Sequence, residues 1–214
     1  MGQIRKPPTV RRRETRGVSP PLVVGISGAS GVIYGIRVLE LLKAAGLPTC
    51  LVMTRSAEIT LAHETSLNVK MARALADTTY AIDDIAAPIA SGSFATCGMI
   101  VAPCSIRSLS EIATGVTSTL LTRAADVTLK ERRRLVLLVR ETPLHAGHLR
   151  SMTLATEAGA IVYPPVPAFY ARPTSIEAMV DQTLGRALDL FGIDVDTVRR
   201  WGVTVGPRRG RRPG

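Results

Sequence analysis

Gly25-Ile-Ser-Gly28-Ala29-Ser30-Gly31 stands between an apolar run, LVVGIS, and a stretch whose apolar residues recur at helical spacing. Glycines at a strand-to-helix junction let backbone N–H groups approach an anion, and the helix dipole favours negative charge there. The spacing is neither G-x-G-x-x-G nor G-x-x-x-x-G-K-[ST]. After the next apolar run stand Thr54, Arg55 and Ser56, where a dinucleotide's ribose would call for an acidic residue. NAD is disfavoured; a phosphate or a mononucleotide remains, against a bare strand–helix turn.

Further along, Pro103-Cys104-Ser105-Ile106-Arg107-Ser108 repeats the theme. Ser105 and Ser108 either cap the following helix, the commoner fate of such serines, or donate to a ligand's polar edge. Cys104 has no local histidine partner and reads as a small buried residue. Lys130-Glu-Arg-Arg-Arg134 precedes the apolar run LVLLV, and Arg140-Glu141-Thr-Pro143 follows it. That Arg–Glu pair is either a structural ion pair or an anion clamp beside an acid/base group. Pro164-Pro-Val-Pro-Ala-Phe-Tyr170 is a stiff loop suited to holding an aromatic residue over a pocket. Arg186 falls within the last amphipathic stretch. A hydroxyl with several guanidinium groups is what a small phosphate ester requires. His63, His145 and His148 show no metal-ligand spacing.

These residues need a frame. Apolar runs at 22–27, 49–54, 99–102, 135–139 and 160–163 alternate with helical patterns at 32–45, 56–65, 106–113, 119–128, 145–158 and 175–191, plus a helix near 69–76. Near-continuous apolar strands alternating with helices imply a parallel sheet covered on both faces. The expected fold is one α/β domain, a three-layer α/β/α with a flavodoxin/Rossmann-like parallel sheet. In it, the loops after the strands (28–31, 54–56, 103–108, 140–143 and 164–170) gather at one edge. Pro103 is expected to close its strand.

The net charge of +10 belongs to the ends of the chain. Residues 1–21 carry +5 and residues 199–214 carry +6, leaving the body at −1. The domain is therefore placed at 22–202, between basic tails at 1–21 and 203–214 expected to be disordered. Without aromatic residues among the tail arginines, base stacking has no support and nucleic acid is not the expected partner. No apolar run approaches the ~20 residues of a membrane span. Three cysteines without CxxC spacing fit a reducing, cytoplasmic setting.

The stretches GISGASGVIYGIRVLELL, ASGSF, APCSIRSLSEIATG, RAADVTLKERRRLVLLVRETPLH, GAIVYPPVPAFYARP and RWG together resemble the flavin prenyltransferase (UbiX-like) family, covering nearly everything from Leu22 to Gly202. The resemblance implies a flavodoxin-like homo-oligomer, typically a dodecamer, with FMN between subunits. It implies transfer of a dimethylallyl group from dimethylallyl monophosphate to N5 and C6 of reduced FMN, without a metal. FMN is thus a substrate, and prenylated FMN goes to a UbiD-type decarboxylase.

By motif position, Gly28, Ala29, Ser30, Thr54, Ser105, Ile106, Arg107, Ser108 and Arg140 would hold FMN. The family usually has serine where Thr54 stands. Lys130, Tyr170, Arg186, Arg123 and Glu64 would grip the dimethylallyl phosphate, Glu141 would be the acid/base group near N5, and Trp201 would close the site. Two rivals remain: a peptidyl-cysteine or phosphopantothenoylcysteine decarboxylase, whose P-x-M-N-x-x-M-W stretch is absent, and a nucleic-acid module acting through the tails. An NADP reductase using Arg55 is more distant.

Overall fold

The computed structural model describes residues 10–12, 19–196 and 198–206. Its strands are β1 (Val10–Arg12), β2 (Leu22–Ile26), β3 (Thr49–Met53), β4 (Thr78–Tyr80), β5 (Gly98–Cys104), β6 (Leu135–Val139), β7 (Ile161–Val162) and β8 (Ile193–Val195). The helices are α1 (Ile33–Ala44), α2 (Arg55–Glu64), α3 (Val69–Arg73), α4 (Ile106–Thr114), α5 (Leu120–Lys130), α6 (Ala146–Glu157) and α7 (Ile176–Asp189). One parallel sheet runs in the order β4-β3-β2-β5-β6-β7. The chain winds outward from β2 to β4 and then restarts on the other side at β5. The switch point therefore lies between β2 and β5.

Every residue of β2, β3, β5 and β6 is buried, which is why these strands read as unbroken apolar runs rather than alternating ones. Leu22, Val24 and Ile26 face α1 and α7, while Val23 joins the core beneath α4, α5 and α6. The three layers follow from that alternation. Each fully buried Leu or Ile, such as Leu39, Leu51 or Ile100, contributes about 1.5–3 kcal/mol. Among the described residues, no helix is long and apolar enough to cross a membrane.

Three features depart from the sequence expectation. β5 does not stop at Pro103: it runs to Cys104 through a register shift between Val101 and Cys104, a bulge that accommodates the missing N–H. β4 is a three-residue edge strand, Thr-Thr-Tyr, too short and polar to leave a pattern. Val10–Arg12, within the leader expected to be a disordered tail, forms β1 and pairs antiparallel with β8. A single valine ahead of arginines carries no periodic signal. The remainder of the basic segments, residues 1–9, 13–18 and 207–214, lies outside the described residues.

Candidate functional site

The carboxyl ends of the strands surround a cavity of about 770 Å³. Gly28, Ala29 and Ser30 after β2, Thr54, Arg55 and Ser56 after β3, Ser105 to Ser108 around the start of α4, and Arg140 and Glu141 after β6 all line it. So do Ile82, Asp83, Thr119 and Thr122, which sequence reasoning had not singled out as ligands. The sequence signal for the threonines was the start of a helix; for Ile82 and Asp83 there was none, since β4 itself was not legible.

Glycine is required in the first loop for two different reasons. A Cβ on Gly28 would lie 2.2 Å from the Ser56 Cβ, so the loop after β2 meets the first turn of α2 only because Gly28 has no side chain. Gly31 has φ +95°, a conformation that side-chain-bearing residues rarely adopt. The bulge of β5 fixes the floor between these loops. Buried Ser27 donates through Oγ to the Pro103 carbonyl (2.9 Å) and accepts the Ser105 N–H (2.7 Å), stitching β2 to β5 at the switch point.

Glu64, at the end of α2, accepts the N–H groups of Gly31 (2.8 Å) and Val32 (3.0 Å) at the start of α1. Burial raises its pKa, but the hydrogen bonds from Ser30, Gly31 and Val32 and the charge of Arg140 outweigh this, and the net shift is downward. A depressed carboxylate pKa stabilises the fold above the ordinary glutamate range, and that contribution is lost as pH falls through the folded-state pKa. Glu64→Gln is therefore expected to lower the melting temperature at neutral pH. The gap from wild type should close as pH is lowered through and below the glutamate range. A gap that stayed constant with pH would show that the Glu64 charge does not hold the loop.

Two of the expected liganding hydroxyls are also caps. Thr54 Oγ1 accepts the Ala57 N–H (3.1 Å) at the start of α2, and Ser105 Oγ accepts the Ser108 N–H (3.3 Å) at the start of α4. Capping fixes their positions on the cavity wall. Arg107 and Glu111 form an i,i+4 ion pair at its rim. Arg140 and Glu141 do not pair with each other. Arg140 reaches Ser30 Oγ at 3.5 Å, the long end of a hydrogen bond, and Glu141 accepts its neighbour Thr142's N–H (3.0 Å). The ion-pair alternative for these two residues is thereby removed.

Cys104 is fully buried beside the cavity floor, and burial pushes its thiol up to about 12. It should resist iodoacetamide at pH 8 in the folded protein and react on unfolding. Labelling in the native state at the rate of a free thiol would contradict this.

The remaining expected residues stand apart from the cavity in the single chain. Arg123 donates to the Ala90 carbonyl (3.2 Å) and pairs with Asp126 (2.7 Å). Lys130 pairs with Glu131 (2.5 Å) at the far end of α5, against the Ser91-Gly-Ser loop. Ten residues of helix separate Lys130 from Leu120, about 15 Å along the axis. Tyr170 and Trp201 pack edge to face with ring centroids 5.8 Å apart. Burial raises the Tyr163 pKa, with Arg186 opposing and Tyr170 and Asp189 adding to the rise, so Tyr163 sits among all three. His145 caps α6 and stacks on His148 at 3.6 Å.

A glycine loop, capping hydroxyls and an arginine around a mononucleotide-sized cavity at the switch point of a doubly wound sheet mark an α/β protein of the mononucleotide-binding class. The chain belongs to the Flavoprotein family, whose profile matches residues 10–188. Within it, the chain is 56% identical over 183 residues to flavin prenyltransferase UbiX of Escherichia coli (strain K12), spanning 84% of this chain and 97% of that one. It is also similar to the crystal structure of AnUbiX (PadA1) in complex with FMN and dimethylallyl pyrophosphate: TM-score 0.84, 50% identity, 86% of this chain and 97% of that chain. A dodecameric FMN-dependent Ubix-like decarboxylase from Escherichia coli O157:H7 aligns with TM-score 0.82 at 42% identity, over 85% of this chain and 98% of that one.

Proposed function

We infer that this chain is a flavin prenyltransferase, joining a dimethylallyl group from dimethylallyl monophosphate to N5 and C6 of reduced FMN. The observation that carries the reading is the cavity of about 770 Å³ at the switch point, combined with 50–56% identity to flavin prenyltransferases over most of both chains. The residues present fit FMN: a loop that Gly28 keeps free of side chains, hydroxyls at Ser30, Thr54, Ser105 and Ser108, and the Arg140 guanidinium. Reduced FMN, when bound, supplies the nucleophilic N5 and C6 and a π-face for an allyl cation.

The protein's part is to hold, ionise and move protons. When the C1–O bond of the donor breaks, its electron pair leaves with the phosphate, and cations placed at that oxygen stabilise the charge. Lys130, Arg123, Arg186 and the Tyr170 hydroxyl suit that role, and Trp201 suits the cover over the prenyl chain. Glu141, on the cavity wall, suits the proton transfer near N5. The separation of Lys130 and Tyr170 from the cavity supports a homo-oligomer in which one copy completes another's site. We take a dodecamer as that assembly. A UbiD-type decarboxylase is the acceptor of the prenylated FMN in this reading, the compartment is the cytoplasm, and residues 22–202 form the catalytic domain.

The test is anaerobic: protein, FMN, dithionite and either dimethylallyl monophosphate or the diphosphate, with the extracted flavin weighed. A mass gain of one C5H8 unit is the expected result, and FMN bound but never alkylated would overturn the reading. Lys130→Ala and Tyr170→Phe should each slow transfer about 10²-fold or more while FMN binding survives. Wild-type turnover in either variant would remove that residue from its role.

A further inference from the structure

One carboxylate at the end of α7 serves two arginines. Asp189 accepts from Arg186 Nη1 through Oδ2, and from Arg200 through both oxygens (Nη1–Oδ2 and Nη2–Oδ1, each 2.8 Å). Its side chain is only 20% exposed. Arg200 makes a further bond to Asp194 (2.7 Å) and directly precedes Trp201. The segment leading to this arginine is already docked: buried Gln182 donates to the Arg199 carbonyl (3.0 Å) and accepts the Arg199 N–H (2.8 Å). Beyond it, the Arg200 carbonyl accepts the N–H groups of Val203, Thr204 and Val205, winding the turn that presents Trp201. Trp201 in turn meets Tyr170.

We propose that Asp189 is a positioning residue that couples Arg186, the arm expected to hold the donor's phosphate, to the turn that carries Trp201. The inference rests on the prenyltransferase reading for the identity of the donor, but the coupling itself is a property of these four side chains. Asp189 holds one corner of the Arg186 fork and leaves the other donors for a phosphate. A phosphate drawing on Arg186 leaves more of the Asp189 charge to Arg200, which tightens the Trp201 turn. By linkage, a tightened turn must favour phosphate at Arg186 to the same degree.

Simple electrostatics predicts the opposite outcome for a mutation here. Without its carboxylate, Asp189→Asn would leave two arginines beside the phosphate and lower KM. Positioning predicts that Asp189→Asn raises the KM for dimethylallyl monophosphate about tenfold while kcat changes less than about threefold, with FMN affinity unchanged. Asp189→Glu should recover part of the loss.

Trp201 is the chain's one tryptophan, so its emission anisotropy reports the turn directly. In the FMN-loaded protein, titration with dimethylallyl monophosphate, or with inorganic phosphate as the probe, should raise the anisotropy to a plateau. The rise should vanish in Asp189→Asn and in Arg200→Gln, which severs the Trp201 arm while leaving Arg186 held. A KM that is unchanged or lower in Asp189→Asn, or a phosphate response retained in either variant, overturns the proposal. Because the phosphate titration needs no turnover, it judges the coupling even if the wild-type protein fails to prenylate FMN, a result that would count against the enzyme reading alone.

Discussion

Glu141→Gln is expected to leave FMN bound and to lower prenyl transfer by about 10²–10⁴-fold. Glu141 lies on the cavity wall immediately after β6, exposed, with only its neighbour Thr142's N–H hydrogen-bonded to it and no ion-pair partner among the described residues. Glutamine keeps the length and can still accept that N–H; it loses the ability to take up and return a proton. Single-turnover prenylation followed by mass, alongside FMN affinity from flavin fluorescence, separates the two effects. Transfer within about threefold of wild type would assign the proton to another group.

The second large effect comes from a single methyl group. Gly28→Ala should weaken FMN binding at least about tenfold and destabilise the fold by about 1–3 kcal/mol. The new Cβ would sit 2.2 Å from the Ser56 Cβ, with the Ser56 backbone at 3.0–3.1 Å, so either the loop after β2 or the first turn of α2 must move. Adding Ser56→Gly removes the nearest atom and should recover part of both losses. The relevant measurements are FMN affinity and melting temperature in the two single variants and the double variant. Additive losses with no recovery would mean that the approach of the glycine loop to α2 does not shape the cavity.

The layers of this fold were legible because β2, β3, β5 and β6 are buried on both faces, leaving strings such as LVVGI and LVLLV that only a covered parallel strand explains. The loops after them were legible as a site for the same reason, since a doubly wound sheet collects its ligands at those ends. β4 and the β1–β8 pair were not, because Thr78–Tyr80 and Val10–Arg12 are three-residue strands without an apolar period. The extension of β5 past Pro103 depended on a bulge, and proline in sequence reads as a stop. Tyr170 and Arg186 were legible as a hydroxyl and a guanidinium suited to a phosphate ester, but the loop 164–170, expected with the others at the site's edge, does not line the cavity in the single chain. Lys130 and Trp201 took their site roles from resemblance to a family, and they too lie away from the cavity.

The Glu64 carboxylate has a consequence for how the site can hold an anion. Where many nucleotide-binding folds seat a phosphate on the first N–H groups of the helix after the glycine loop, this chain seats a side chain of its own. A phosphate entering the cavity must therefore draw its donors from elsewhere on the wall, where the Ser30, Ser105 and Ser108 hydroxyls and the Arg140 guanidinium stand. The helix start is spent on tying α2 to the glycine loop, and the anion-binding duty passes from backbone to side chains.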